Sequence, residues 1–184
     1  MSEISERYRR VAAQFTERVE AVPAGAWDNP APCEGWVARD VVRHLVEWLP
    51  AFFFGTWDIE LPAGPSVDDD PAGAWKAIDT TIQAALDDPA VAGLERETRM
   101  GPSSVFDQTL DMICTPDVLV HTWDLARATG LDETLDAEEV HRFVSAMEPL
   151  DDMLRQSGQY GPRVPVPDDA DEQTRLIAFV GRQP

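Results

Sequence analysis

Apolar residues recur every three or four positions over most of this sequence, which is the spacing of amphipathic helices. The first such segment covers residues 3–21 and is stopped by Pro23. The second covers residues 37–54, and Pro50 predicts a kink or an early end near its C-terminus. A third helix, closed by Pro89, is marked by Ala74, Trp75, Ile78, Ile82 and Leu86.

The longest helical pattern covers residues 103–129 and is followed by Gly130, which suits a left-handed C-terminal cap. Pro116 lies inside this pattern, so we expect a kink or a fresh helix start there. Further along, Asp136 and Glu139 form a capping pair that predicts a helix through about residue 154.

Glycine and proline dominate the connecting segments at residues 23–36 and 55–70. Trp27 and Trp36 are expected to anchor the first of these loops into the core. The tail from residue 161 is rich in proline and then briefly helical from about Asp171. Since no segment alternates as a strand does, we predict an all-α fold. We predict a single domain over residues 1–184 that ends in a proline-rich tail and an additional C-terminal helix.

The net charge of the chain limits the kinds of molecule that we expect it to bind. The chain has 15 basic and 34 acidic residues, a net charge of −19, which disfavours nucleic acid and anionic membranes as partners. Cys33 and Cys114 are too few and too far apart for a disulfide framework. The sequence shows neither a secretory segment nor an apolar run long enough to span a bilayer, so we predict a cytoplasmic protein.

Two of the three histidines fall on apolar helix faces. His44 lies one turn from both Val41 and Trp48 and should point into the bundle. Asp117 and His121 are four residues apart, which stacks them on one helix face with Cβ atoms about 6 Å apart. An inward carboxylate is costly unless it is paired, and one divalent cation would satisfy all three groups. Three protein ligands leave coordination positions open, as in catalytic sites.

Metal-free alternatives remain at this stage. His44 would then be a hydrogen-bonded core residue, and Asp117 would favour the dipole of a helix capped by Thr115 and beginning at Pro116. Cys33 is either a fourth ligand, a reactive thiol or small buried filler. His141 lies on a predicted solvated surface and is given no role.

Two motifs carry a resemblance to a known family. The first is Pro32–Trp36 followed by Arg39–Leu45, the second is Asp117–Gly130, and the tail at 161–167 matches as well. Together they resemble the DinB-like metal-binding proteins of actinobacteria, whose relatives include mycothiol-dependent maleylpyruvate isomerase. The resemblance implies a DinB-like four-helix bundle in which His44, Asp117 and His121 hold a divalent ion.

The same resemblance implies zinc as the ion, with nickel, iron, manganese or cobalt as alternatives, and mycothiol as a cosubstrate. Two departures stand out. Asp117 replaces a glutamate, so its shorter reach weakens ligation or admits a water. Val37 replaces a capping serine or threonine, which predicts a looser helix start. The isomerase also carries a further C-terminal domain for which this sequence is too short, so we expect that its substrate site need not be present and that the family name alone does not transfer the reaction.

The leading hypothesis is an enzyme whose metal ion lowers the pKa of a bound thiol or water. The thiol would attack a small electrophilic substrate in a transfer or isomerisation, with Asp124 or Arg127 orienting it. Asp124 alternatively caps a helix or pairs on the surface. Rival hypotheses are a non-catalytic metal- or ligand-binding protein and a non-haem iron enzyme using the same ligands. Whether two copies form a homodimer stays open.

Overall fold

The computed structural model describes residues 2–61, 63–98, 101–156 and 161–184. Within them the helices are α1 (Glu3–Ala21), α2 (Ala38–Leu49), α3 (Gly55–Trp57), α4 (Pro71–Asp87), α5 (Pro89–Ala92), α6 (Phe106–Thr129), α7 (Ala137–Met147), α8 (Asp151–Gln156) and α9 (Glu172–Phe179). Two strands, β1 (Glu95–Thr98) and β2 (Gly101–Val105), form a small antiparallel sheet.

Four helices form a bundle around one apolar core. Helices α1 and α2 each pack against both α4 and α6, while α7 packs against α6 and α9. Fully buried side chains fill the centre, among them Tyr8, Phe15, Leu45, Trp75, Ile82, Leu110 and Leu119. The prediction of an all-α bundle is confirmed. Among the described residues, no helix combines the length and apolar character needed to span a membrane.

Helix α6 is continuous from Phe106 to Thr129, with Pro116 inside it. The predicted fresh helix start at Pro116 is therefore wrong, and so is the alternative in which Thr115 caps a new helix; a kink at Pro116 stays a prediction. A proline removes one backbone donor from the helix. Here the buried side chains on both sides of it, Leu110, Cys114, Val118 and Leu119, keep the helix packed against its neighbours.

The expectation that no strand exists is also wrong. Strand β1 pairs antiparallel with β2, with Glu95 opposite Val105, so residues 103–105 precede α6 instead of beginning it. These strands are four and five residues long and mostly polar, too short to give a clear alternating pattern. Leu94 directly precedes β1, and its backbone carbonyl accepts hydrogen bonds from the Phe106 N–H and the Trp57 indole N–H.

The start of α2 is secured without a capping hydroxyl. The Asp40 carboxylate accepts a hydrogen bond from the Val37 N–H at 3.0 Å. The next two N–H groups, of Ala38 and Arg39, donate to the carbonyls of Asn29 and Trp27 at 2.9 and 3.0 Å. Orphan donors at a helix start need such acceptors, and the proline-rich loop provides them. The predicted looseness of this end is not seen.

Other helix boundaries differ modestly from the predictions. Beyond α2 the chain stays helical as a π-helical turn, Pro50–Phe54, and then as α3. Asp136 caps α7 through the Glu139 N–H, as expected, but the Glu139 carboxylate is buried against Arg142 instead of completing the capping box. Helix α7 ends at Met147, and a 3₁₀ turn leads into α8.

Replacing Asp40 by alanine tests how α2 is secured. We expect Asp40→Ala to lower the free energy of unfolding by about 0.5–1.5 kcal/mol, because the Val37 N–H and Arg43 both lose a partner. Urea denaturation measures the change. Glu47→Ala, an exposed acid on the same helix, is the control and should shift stability by less than about 0.5 kcal/mol. Equal stabilities would show that the loop carbonyls suffice.

Candidate metal centre

The packing of α2 against α6 brings the three predicted ligands together. Asp117 Oδ2 lies 3.3 Å from His44 Nε2, and Asp117 Oδ1 lies 3.5 Å from His121 Nε2. The two imidazole rings are 4.8 Å apart between centroids. One ligand atom from each residue lies within 4.8 Å of the other two, so His44, Asp117 and His121 form one cluster.

The Asp117 carboxylate is incompletely satisfied. Its Oδ2 atom is buried and has no hydrogen-bond partner among the described residues, although His44 Nε2 is close. A buried acceptor without a partner costs free energy, and a charged one costs more. A positively charged group placed between the two imidazoles and the carboxylate would therefore stabilise the cluster. The alternative in which Asp117 lies in the first turn of a helix and interacts favourably with the helix dipole is wrong, since α6 is continuous through this position.

His121 is oriented by a second carboxylate one helical turn further along α6. Its Nδ1 lies 2.9 Å from Asp124 Oδ2, and the Asp124 side chain is fully buried. A carboxylate can only accept here, so the ring proton is held on Nδ1 and the Nε2 lone pair is left for another partner. Histidine ligands of metal ions are commonly held in this way.

Electrostatics in this cluster favour positive charge. Burial alone would lower the pKa of His121, but the charge of Asp117 and the hydrogen bond to Asp124 outweigh it and raise that pKa. Burial alone would raise the pKa of Asp124. The hydrogen bond and charge of His121, together with Arg182, instead hold the pKa of Asp124 below its usual value. Asp124 therefore keeps its negative charge beside His121.

Asp124 was not predicted to act through His121. The expectation that it orients a thiol or pairs on the surface is wrong, because its side chain is inaccessible and bonded to His121, Cys33 and Arg182. The available signal was the spacing of three residues from His121, which places both on one face of a helix. Arg127 instead pairs with Glu133 at 2.7 Å and covers the Trp123 ring.

Cys33 lies on the Asp124 side of His121. Its sulfur is 3.5 Å from Asp124 Oδ2 and 3.2 Å from an Arg182 nitrogen, and it groups with His121 and Asp124, apart from His44 and Asp117. Burial and the nearby Asp124 raise the pKa of the Cys33 thiol to about 12. The side chain is half-buried. Its contacts therefore describe a protonated thiol that donates to Asp124.

Aromatic rings border the cluster. Trp36 lies 5.2 Å from His44 and stacks on His121 at 5.9 Å between ring centroids. Trp48 stacks on the other side of His44 at 5.7 Å. Both tryptophans are half-buried, so part of each side chain is exposed to solvent while the rest packs against the core. The role predicted for Trp36, anchoring its loop, leaves out this contact with both histidines.

His141 lies elsewhere, as predicted. Its side chain is 67% exposed and pairs with Glu172 of α9 at 2.9 Å. It therefore offers a matched histidine outside the cluster.

Comparison with known proteins agrees with the motifs. The family model described as the mycothiol maleylpyruvate isomerase N-terminal domain matches residues 8–53, a segment that includes His44. Two uncharacterized proteins of Mycobacterium tuberculosis, from strains CDC 1551 / Oshkosh and H37Rv, are each 29% identical over 180 residues, covering 95% of this chain and 95% of each relative. No solved structure matches the chain significantly. The resemblance is thus confirmed over the segment that carries the first motif, whereas the second motif, Asp117–Gly130, lies outside the residues matched by the family model.

The pKa of Cys33 gives a prediction about thiol chemistry. At neutral pH its thiolate fraction is about a thousandfold smaller than that of an ordinary thiol, and Cys114 is fully buried with its pKa raised well above usual. We expect the native protein to react with an aromatic disulfide reagent far more slowly than free cysteine, and two thiols to react after denaturation. Cys33→Ala and Cys114→Ala assign the signals. Rapid native labelling of Cys33 would contradict the prediction.

Proposed function

We propose that this chain is a divalent-metal-dependent enzyme that uses a low-molecular-weight thiol such as mycothiol, or water, to attack a small electrophilic substrate. The observation that carries the proposal is the buried, unpartnered Oδ2 of Asp117 beside His44 and His121. The family match adds the association with mycothiol. The outcome would be a group transfer or an isomerisation.

The three residues are close enough that one divalent ion could be held between them. His44 Nε2 lies 3.3 Å from Asp117 Oδ2, and His121 Nε2 lies 3.5 Å from the other oxygen, Oδ1. One ligand atom from each of the three residues lies within 4.8 Å of the others. Imidazole and carboxylate ligands suit zinc, and also iron, nickel, cobalt or manganese. A resident ion of this kind would lower the pKa of a thiol or water in its open position.

Each of the three clustered side chains would contribute differently to holding the ion. His44 and His121 contribute neutral nitrogens, and Asp117 contributes one negative charge, so a divalent ion would keep a net positive charge. Side chains of His44 and Asp117 are each 27% exposed, which leaves the centre open to a ligand from solvent. Trp36 and Trp48, stacked on the imidazoles, border that opening and exclude water from part of it.

Metal content is the first test. We expect the purified protein to contain about one divalent ion per chain, and His44→Ala, His121→Ala and Asp117→Asn to lose most of it, because each removes one of only three protein ligands. Elemental analysis of protein from the native host measures both quantity and identity. His141→Ala, the exposed histidine, is the control and should keep the wild-type content.

Thermal unfolding checks the same site. A ligand present at about 100 times its Kd contributes about 2.7 kcal/mol, so chelation should lower the Tm by roughly 5–10 °C in wild type and His141→Ala. The His44→Ala variant should not respond. A wild-type protein without stoichiometric metal, or alanine variants that retain all of it, would refute the proposed centre. Iron as the sole native ion would favour oxygen-dependent chemistry instead.

Turnover of electrophiles is the test of catalysis. We expect the metallated protein to accelerate conversion of small electrophiles in the presence of mycothiol. A transfer is measured by mass spectrometry of the thiol adducts, and an isomerisation, which regenerates the thiol, by chromatography of the isomeric product. Activity should fall at least about a hundredfold in His121→Ala and stay unchanged in His141→Ala. A fully metallated protein that converts none of the electrophiles, with mycothiol or with water, would favour a non-catalytic binding protein.

A further inference from the structure

Arg182, which follows α9, is bound to the carboxylate behind His121. Its Nε lies 3.2 Å from Asp124 Oδ1, and one terminal nitrogen lies 3.0 Å from Asp124 Oδ2. The same nitrogen is 3.2 Å from the Cys33 sulfur. One guanidinium thus joins three segments: the loop before α2, the centre of α6 and the end of the chain.

The local fold fixes this arginine in place. Helix α9 ends in a Schellman arrangement, in which the Arg182 N–H donates to the Ile177 carbonyl and the Gly181 N–H donates to the Ala178 carbonyl. Gly181 has φ +84°, which glycine adopts without strain. A Cβ at this glycine would also lie 3.3 Å from the backbone at residues 161 and 162. Arg182 therefore leaves the helix in a defined direction.

Asp124 depends on that arginine. Its side chain is fully buried, and a buried carboxylate needs a charged partner and hydrogen bonds to both oxygens. His121 and Cys33 both reach only Oδ2, whereas Arg182 reaches both oxygens in a two-point contact. Such a contact fixes the plane of the carboxylate, and a lysine cannot reproduce it.

We propose that Arg182 is a positioning residue of the metal centre. It holds the plane of Asp124, Asp124 accepts a hydrogen bond from the His121 Nδ1–H, and His121 Nε2 is thereby kept free and directed towards Asp117 and His44. Its contact with Cys33 also ties down the loop that carries Trp36, the ring stacked on His121. The role in metal binding rests on the proposed function, whereas the orientation of His121 does not.

The test compares Arg182→Met and Arg182→Lys with a control on the same terminal segment, Arg175→Gln, whose partner is Glu172. In metal-free protein at alkaline pH, ring ¹⁵N NMR reports the tautomer of His121. We expect the Nδ1–H form in wild type and Arg175→Gln, and a mixture of tautomers in Arg182→Met. Zinc affinity, from competition with a chromophoric chelator, should fall about 10- to 100-fold in Arg182→Met, with Arg182→Lys in between.

A double-mutant cycle separates positioning from general loss of stability. If Arg182 acts through Asp124, Arg182→Met should change zinc affinity by less than about twofold in an Asp124→Asn background. Effects that multiply would overturn the proposal, as would an Arg182→Met protein with wild-type tautomer and affinity. If wild type binds no zinc, the proposed function fails, and the tautomer of His121 in the metal-free variants alone decides the role of Arg182.

Discussion

Negative charge buried along one helix is the constraint on which the rest of the site depends. Helix α6 places Asp117 and Asp124 on either side of His121, and neither carboxylate can be solvated fully. Asp124 is satisfied by Arg182 and the imidazole, while one oxygen of Asp117 is left without a partner. A fold that tolerates this cost must recover it elsewhere, and a cation at Asp117 is the simplest compensation.

Packing of the bundle turns that charge arrangement into a cluster. Because α2 crosses α6 with its buried face, His44 meets the same carboxylate that His121 meets from within α6. Backbone carbonyls of Trp27 and Asn29 secure the start of α2, so the helix that carries His44 is fixed through the proline-rich loop. That loop also brings Trp36 against the His121 ring and Cys33 against Asp124.

Sequence periodicity predicted the all-α class and the inward placement of the three clustered residues, whereas the four-helix bundle was inferred from the family resemblance. The spacing of Asp117 and His121 and the apolar neighbours of His44 are signals that depend only on the geometry of the helix that carries them. The partner of Asp124 could not be found this way, because Arg182 lies far along the chain and meets it only through the packing of α9. The β1–β2 pair and the continuity of α6 through Pro116 were missed for a related reason. Tertiary contacts there outweigh weak or unfavourable local signals.

The wide spacing of the cluster along the chain has a consequence for folding. His44 belongs to the segment matched by the family model, whereas Asp117 and His121 lie outside it. A nascent chain that has formed only its first two helices holds a single imidazole of the cluster, because Asp117 and His121 lie on α6. Any ion held by all three residues would therefore require α2 and α6 to be packed together already, and its binding free energy would stabilise the assembled bundle and no isolated part of it.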